Sequence, residues 1–136
     1  MASIFTKSTV PLIIMVLFVF YKSNCVFAES IKHKYVIIRN DVGGGVNLTL
    51  HCKSKDDDLG VQNISPGGEW GFHFKTSAWG TTLFFCSVEW PGTSHYFDAF
   101  VQSRDMDVCD TCVWSIKPDQ PCIVFSNRSV CHPWNK

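Results

Sequence analysis

The sequence predicts an all-β fold, a small disulfide-braced β-sandwich of about seven to eight short antiparallel strands, and three observations point to it. Apolar residues recur with a period of two in segment after segment. Clusters of Gly, Pro, Asn and Asp separate those segments at close intervals. No stretch carries a helical period, and six of the seven cysteines lie beyond an apolar N-terminal leader.

The leader comes first. Lys7 gives it a weakly positive start, Val10 to Phe20 is an apolar run broken only by Pro11, and Val26-Phe27-Ala28 has the small and apolar residues of a cleavage site. Residues 1–28 are therefore expected to be a secretory signal peptide cleaved after Ala28. A membrane anchor is disfavoured, because Lys22 interrupts the run and a span needs about 20 apolar residues. The expected mature domain, residues 29–136, has 108 residues. A chain of that size buries roughly two-thirds of its surface on folding. Loss of Lys7 and Lys22 leaves 10 basic against 12 acidic side chains, a net charge of about −2. That balance does not favour nucleic acid, and no cationic amphipathic stretch points to insertion in a membrane. The expectation is a secreted, extracellular monomer.

Tyr35 to Arg39 reads as the first strand, and Asn40 to Gly45 as a flexible turn. Val46, Leu48, Leu50 and Cys52 then share one face, with Asn47, Thr49 and His51 on the other. Lys53 to Gly60 is a charged loop, followed by the short segment Val61 to Ile64 and the turn Ser65-Pro66-Gly67-Gly68. Glu69 to Lys75 alternates again, with Trp70, Phe72 and Phe74 on one side. Thr81 to Trp90 is the most apolar strand. Phe84, Cys86 and Val88 share a face, and Leu83 and Phe85 opposite imply cover on both sides at its start. His95 to Gln102 sets Phe97, Ala99 and Val101 against Tyr96, Asp98 and Phe100. A polar loop, Ser103 to Thr111, precedes two short strands, Val113–Lys117 and Cys122–Phe125, and a tail pinned by Cys131.

Cys52, Cys86, Cys109, Cys112, Cys122 and Cys131 remain after the leader. An even count in a small secreted chain reads as three disulfides, and six cysteines allow 15 pairings among which the sequence does not choose.

Several blocks now carry a resemblance. His51 to Gly60 (HCKSKDDDLG), Gly68-Glu69-Trp70 with Phe72 and Phe74, Gly80 to Cys86 with Trp90, Phe97-Asp98, Arg104-Asp105 and Cys112-Val113-Trp114 follow one another in the order of the plant self-incompatibility protein S1 family. From about Tyr35 to Trp134 the chain resembles these S-protein homologues, first known from poppy stigmas. The resemblance implies a disulfide-held secreted β-sandwich without enzymatic activity. It also implies a ligand role, in which a membrane receptor on incompatible pollen recognises the protein and calcium influx and pollen-tube arrest follow. On the family pattern Cys52, Cys86, Cys109 and Cys112 form a four-cysteine core, with a further pair at Cys122 and Cys131. The alternatives are a secreted defence or toxin-like protein and, less favoured, a ribonuclease-like hydrolase.

Each candidate site has a plainer competitor. Cys109-Asp110-Thr111-Cys112 lacks the βαβ setting of a redox motif and the spacing of a zinc module, so structural disulfides are favoured. Asp56, Asp57 and Asp58 fail the grammar of a calcium loop, and with Lys53 and Lys55 nearby they read as a solvated turn. His51 and His73 would serve as paired acid and base only if their strands were neighbours, and no phosphate-binding cluster accompanies them. No catalytic residue, metal or cofactor is expected. Asn47, Asn63 and Asn127 open glycan sequons, the second followed by Pro66. The expected partner-contacting loop is Arg104, Asp105, Met106, Asp107 and Asp110, with Lys53, Lys55, Asp56, Asp57 and Asp58 as a second loop.

Overall fold

The computed structural model describes residues 31–136. The leader expected over residues 1–28 lies outside them. Nine strands follow in order: β1 (His33–Asn40), β2 (Leu48–Lys53), β3 (Asp58–Ile64), β4 (Glu69–Lys75), β5 (Leu83–Trp90), β6 (Thr93–Val101), β7 (Thr111–Ile116), β8 (Pro121–Val124) and β9 (Ser129–Cys131). One turn of helix, α1 (Gln102–Asp105), joins β6 to β7. They form two sheets, one ordered β4-β1-β7-β8-β9 and the other β3-β2-β5-β6.

The period-two pattern does what it predicts. Leu48, Leu50 and Cys52 of β2 and Phe84, Cys86 and Val88 of β5 face inward, against Val36 and Ile38 of β1 and Trp114 and Ile116 of β7. Burying a side chain of this kind stabilises the fold by roughly 1.5–3 kcal/mol each. Trp114 spans the seam between the sheets. Its indole N–H donates to the Ala99 carbonyl of the opposite sheet at 2.8 Å, and its ring meets Phe97 edge-on at 5.3 Å.

The sandwich departs from the sequence expectation in four ways. There are nine strands, because the charged loop gives way to β3 already at Asp58 and the tail supplies β9. The β1 and β7 strands run parallel, whereas every other pair is antiparallel. Alternation reports which face a residue occupies and is blind to which strand lies alongside. Third, the β5–β6 register slips between Phe84, opposite Phe100, and Phe85, opposite Asp98. The slip makes Ala99 the extra residue of a bulge, so Phe97, Ala99 and Phe100 all point inward. Phe100 was expected on the other face. Fourth, among the described residues nothing covers both sides of β5: Leu83 is 41% and Phe85 37% exposed on the outer face of the four-stranded sheet.

Three disulfides form, Cys52–Cys86, Cys109–Cys112 and Cys122–Cys131. Cys52 and Cys86 are cross-strand partners of β2 and β5, and Cys122 and Cys131 of β8 and β9. All three therefore lie within a sheet or a loop, and none ties one sheet to the other. From loop closure alone, the Cys52–Cys86 bridge, 34 residues apart in sequence, contributes about 3–4 kcal/mol, and the local Cys109–Cys112 bridge about 2 kcal/mol. Cys52→Ala with Cys86→Ala should lower the guanidinium midpoint accordingly while leaving the near-ultraviolet signal of the Trp114–Phe97 contact intact before unfolding. Loss of that signal in the folded variant would mean that the bridge holds the sheets together.

Candidate functional site

Two loops carry the chemistry predicted for recognition, and the fold treats them differently. In the first, 103–110, two of the five expected contact residues, Arg104 and Asp105, are tied into the frame. The Asp105 carboxylate is buried. It accepts from the Val101 backbone N–H at 2.9 Å and from Arg104 Nε and Nη2 at 2.7 and 2.8 Å. Arg104 Nη2 also donates to the Asp98 carbonyl at 2.9 Å, and its guanidinium lies 5.5 Å from the Trp114 ring centre. A charge-assisted pair with these backbone contacts fixes the departure of the chain from β6. Arg104 and Asp105 thus hold the loop in shape, and the carboxylates it offers to solvent are Asp107 and Asp110.

The loop closes around a residue the sequence reading missed. Lys34 shares the inward parity of Val36 and Ile38, and its side chain has no exposed surface. Its ammonium donates to the carbonyls of Met106 and Cys109, both at 2.7 Å, and to Asp110 Oδ1 at 3.0 Å. A buried ammonium is costly unless all its donors are used, and here three acceptors meet three protons. A lysine at a buried strand position was the available signal. The same hydrogen bond, reinforced by the lysine's charge, holds the Asp110 carboxyl below the usual 3.8.

The second loop, at the β2–β3 hairpin tip, faces solvent as predicted. Ser54 N–H donates to the Asp57 carbonyl at 2.8 Å, and Asp57 N–H returns to Ser54 Oγ at 3.1 Å, so the tip is a defined turn. Asp58 accepts from His51 Nε2 and from Gly60 N–H, and the His51 hydrogen bond is the main reason its carboxyl is lowered. Asp56 and Asp57 stay exposed with Lys53 and Lys55. The tip forms one rim of an open groove of about 760 Å³. Lys75 and Ser77 contribute to the opposite side, and Phe74, Leu83, Phe84 and Phe85 give it an apolar lining. Sequence reasoning named the tip but not the groove, whose two sides come from different sheets.

His51 and His73 are not brought together: β2 and β4 belong to different sheets, and His73 stacks on Tyr35 at 4.0 Å instead. Among the described residues no group of three or more His, Cys, Asp or Glu is placed to hold a metal ion. No described helix is long and apolar enough to cross a membrane. Asn47, Asn63 and Asn127 are all exposed, and Asn63 Oδ1 accepts from the Thr49 hydroxyl at 3.2 Å.

Taken together, these features define a small disulfide-braced β-sandwich whose exposed charges stand on two hydrogen-bonded loops, one of them beside an open groove. The sequence pattern of the plant self-incompatibility protein S1 family matches residues 35–134, and the chain belongs to that family. S-protein homolog 20 of Arabidopsis thaliana is 49% identical over 102 residues, covering 74% of this chain and 75% of the relative. S-protein homolog 2 of the same plant is 43% identical over 123 residues, covering 84% and 74%. A solved structure of a self-incompatibility protein homologue shares the fold, with a TM-score of 0.56 at 21% identity over 77% of this chain and 96% of the other. That protein is described as one of "a widespread family of small, highly stable, secreted proteins from plants".

Lys34→Met should cost about 3 kcal/mol, because it leaves the Met106 and Cys109 carbonyls without their donor. Urea titration measures this, and a change under about 1 kcal/mol would mean the ammonium is replaceable. Asp110 also gives stability a pH dependence. Its pKa is lowered on folding, so its contribution is complete above about 3.8 and is lost as pH falls through the lower folded value. Asp110→Asn should flatten that part of the acid-unfolding curve and leave the curve at neutral pH parallel to the native one.

Proposed function

We propose that this chain is a secreted, non-catalytic protein ligand that a membrane receptor on another cell reads, in the manner of the stigma S-proteins that act on pollen. The observation that carries this reading is the hairpin tip. Its exposed charges stand on a turn fixed by its own hydrogen bonds, beside a groove with an apolar lining. A surface ordered before contact gives up little conformational entropy on binding, so a few side chains can supply useful affinity. Charged rims around an apolar floor are also the usual plan of a protein contact. The loop closed around Lys34 offers a second cluster in Asp107 and Asp110. Asp105, expected in the contact set, belongs to the frame instead, and its substitution would test folding rather than recognition.

The test uses disulfide-intact protein beginning at Glu29, added to growing pollen tubes of several genotypes while cytosolic calcium is imaged. A calcium rise and growth arrest confined to some genotypes is the expected result. Asp56→Lys with Asp57→Lys should then lower potency at least about tenfold at unchanged thermal stability, as reversal of contact charges does. Folded protein without effect on any genotype would overturn the pollen reading. A response that ignores the charge reversal would move the contact away from the tip.

A further inference from the structure

Each of the two sheets ends in two edge strands, and three of these four edges are blunted. Asn135 crosses β6, its N–H donating to the Tyr96 carbonyl at 2.7 Å, and the Trp134 ring stacks on His95 at 4.4 Å. The β9 strand has only 3 residues. The β2–β3 register is broken between His51 and Lys53, and β3 contains Gly60 at a φ of +77°. Such breaks, covers and short lengths are the ordinary defences against edge-to-edge pairing. Among the described residues the fourth edge, β4, has none of them. Its 7 residues, EWGFHFK, run in unbroken register with β1.

The hydrogen-bond parity shows which groups the open side presents. Thr76 N–H donates to the Lys32 carbonyl, and Asn40 N–H to the Gly68 carbonyl, both at 2.9 Å. In the register that pairs Phe74 with Lys34, Phe72 with Val36 and Trp70 with Ile38, the even-numbered residues therefore bond to β1. Glu69, Gly71, His73 and Lys75 turn their N–H and C=O groups to the open side, where no described strand meets them.

We propose that β4 is a self-association edge, on which two copies of this chain pair antiparallel about a two-fold axis at Phe72. That axis sets Glu69 opposite the second copy's Lys75 and Gly71 opposite its His73. All four are the residues with outward backbone groups, so each pair exchanges both N–H···O bonds, and Phe72 meets Phe72 at the non-bonded position between them. The side chains agree with the backbone. An acid and a base at opposite ends of the strand become two symmetric ion pairs, in which the second copy's lysine joins the Arg39 Nε that Glu69 already meets at 3.0 Å. A two-fold contact must be complementary to itself, and this strand is. Opposed charges directly across an antiparallel pair are favourable, and like charges are not. One strand pair buries less than a standard interface, so the dimer is weak and concentration-dependent. The sequence expectation is a monomer, and nothing in the sequence marks β4 as an edge.

Sedimentation equilibrium of the protein beginning at Glu29, from about 10 μM to about 1 mM, tests the proposal over the range expected of so small an interface. A reversible monomer–dimer equilibrium is expected. Lys75→Glu puts Glu against Glu and should weaken it about tenfold. Adding Glu69→Lys restores opposite charges and should return the affinity to near the native value. Amide exchange gives a second readout, with protection at Glu69, Gly71, His73 and Lys75 rising with concentration while the alternate amides, already bonded to β1, stay unchanged. A protein that remains monomeric at the highest concentration overturns the proposal. So does a dimer indifferent to both charge variants, or one whose concentration-dependent protection falls elsewhere.

Discussion

Trp114 lies where the two sheets and the connection after β6 converge. Its ring packs on Phe97, its N–H reaches across to Ala99, and Arg104 covers it from the side of the loop. Because the disulfides run within sheets or a loop, the joint between the layers depends on apolar contact, on this hydrogen bond and on the buried one that Asn40 Nδ2 donates to the Ile64 carbonyl of the other sheet at 3.0 Å. The bulge at Ala99 belongs to the same joint. By turning both Phe97 and Phe100 inward it thickens the core beside the indole, and Phe100 meets Phe74 of the other sheet at 4.8 Å. A packed interior transmits such constraints because it has little empty space in which to absorb them. The Arg104–Asp105 clasp thereby fixes the loop relative to the core as well as to β6.

Ionic groups serve two different ends in this molecule. Lys34 and Asp105 are buried, fully hydrogen-bonded and structural. Asp56, Asp57 and Asp107 stand in solvent, where an isolated pair contributes little to stability. Among the described residues every buried side-chain nitrogen and oxygen has a hydrogen-bond partner. The interior therefore offers no unsatisfied polar group that would need a ligand.

What was legible in the sequence divides along the same line. Strand positions and inward faces came from alternation, which is local, and β4 was read to the residue. The cysteines were legible as bridges, since count and spacing suffice for that, but their partners were not. Partners, sheet order and the parallel β1–β7 pair are long-range and leave no periodic trace. Among the loops, the exposed hairpin tip was legible because a run of charges is visible in one dimension. The inward turn of Asp105 was not, because its partners are the Val101 N–H and a guanidinium whose direction depends on Trp114. Lys34 sat in plain view at a buried parity. The groove has sides from both sheets, so no single stretch of chain announces it.

The Lys34 ammonium holds its loop largely by main-chain carbonyls, at Met106 and Cys109. Every amino acid carries that carbonyl, so this anchor does not depend on which side chain stands at position 106, nor on those at 107 and 108. Substitutions there can change size, charge and shape outward while the backbone keeps its path. The fold thus separates heritable variation in what the loop displays from the means by which the loop is kept in place. A surface built this way can diversify among related copies of the protein without each new version having to solve the folding problem again.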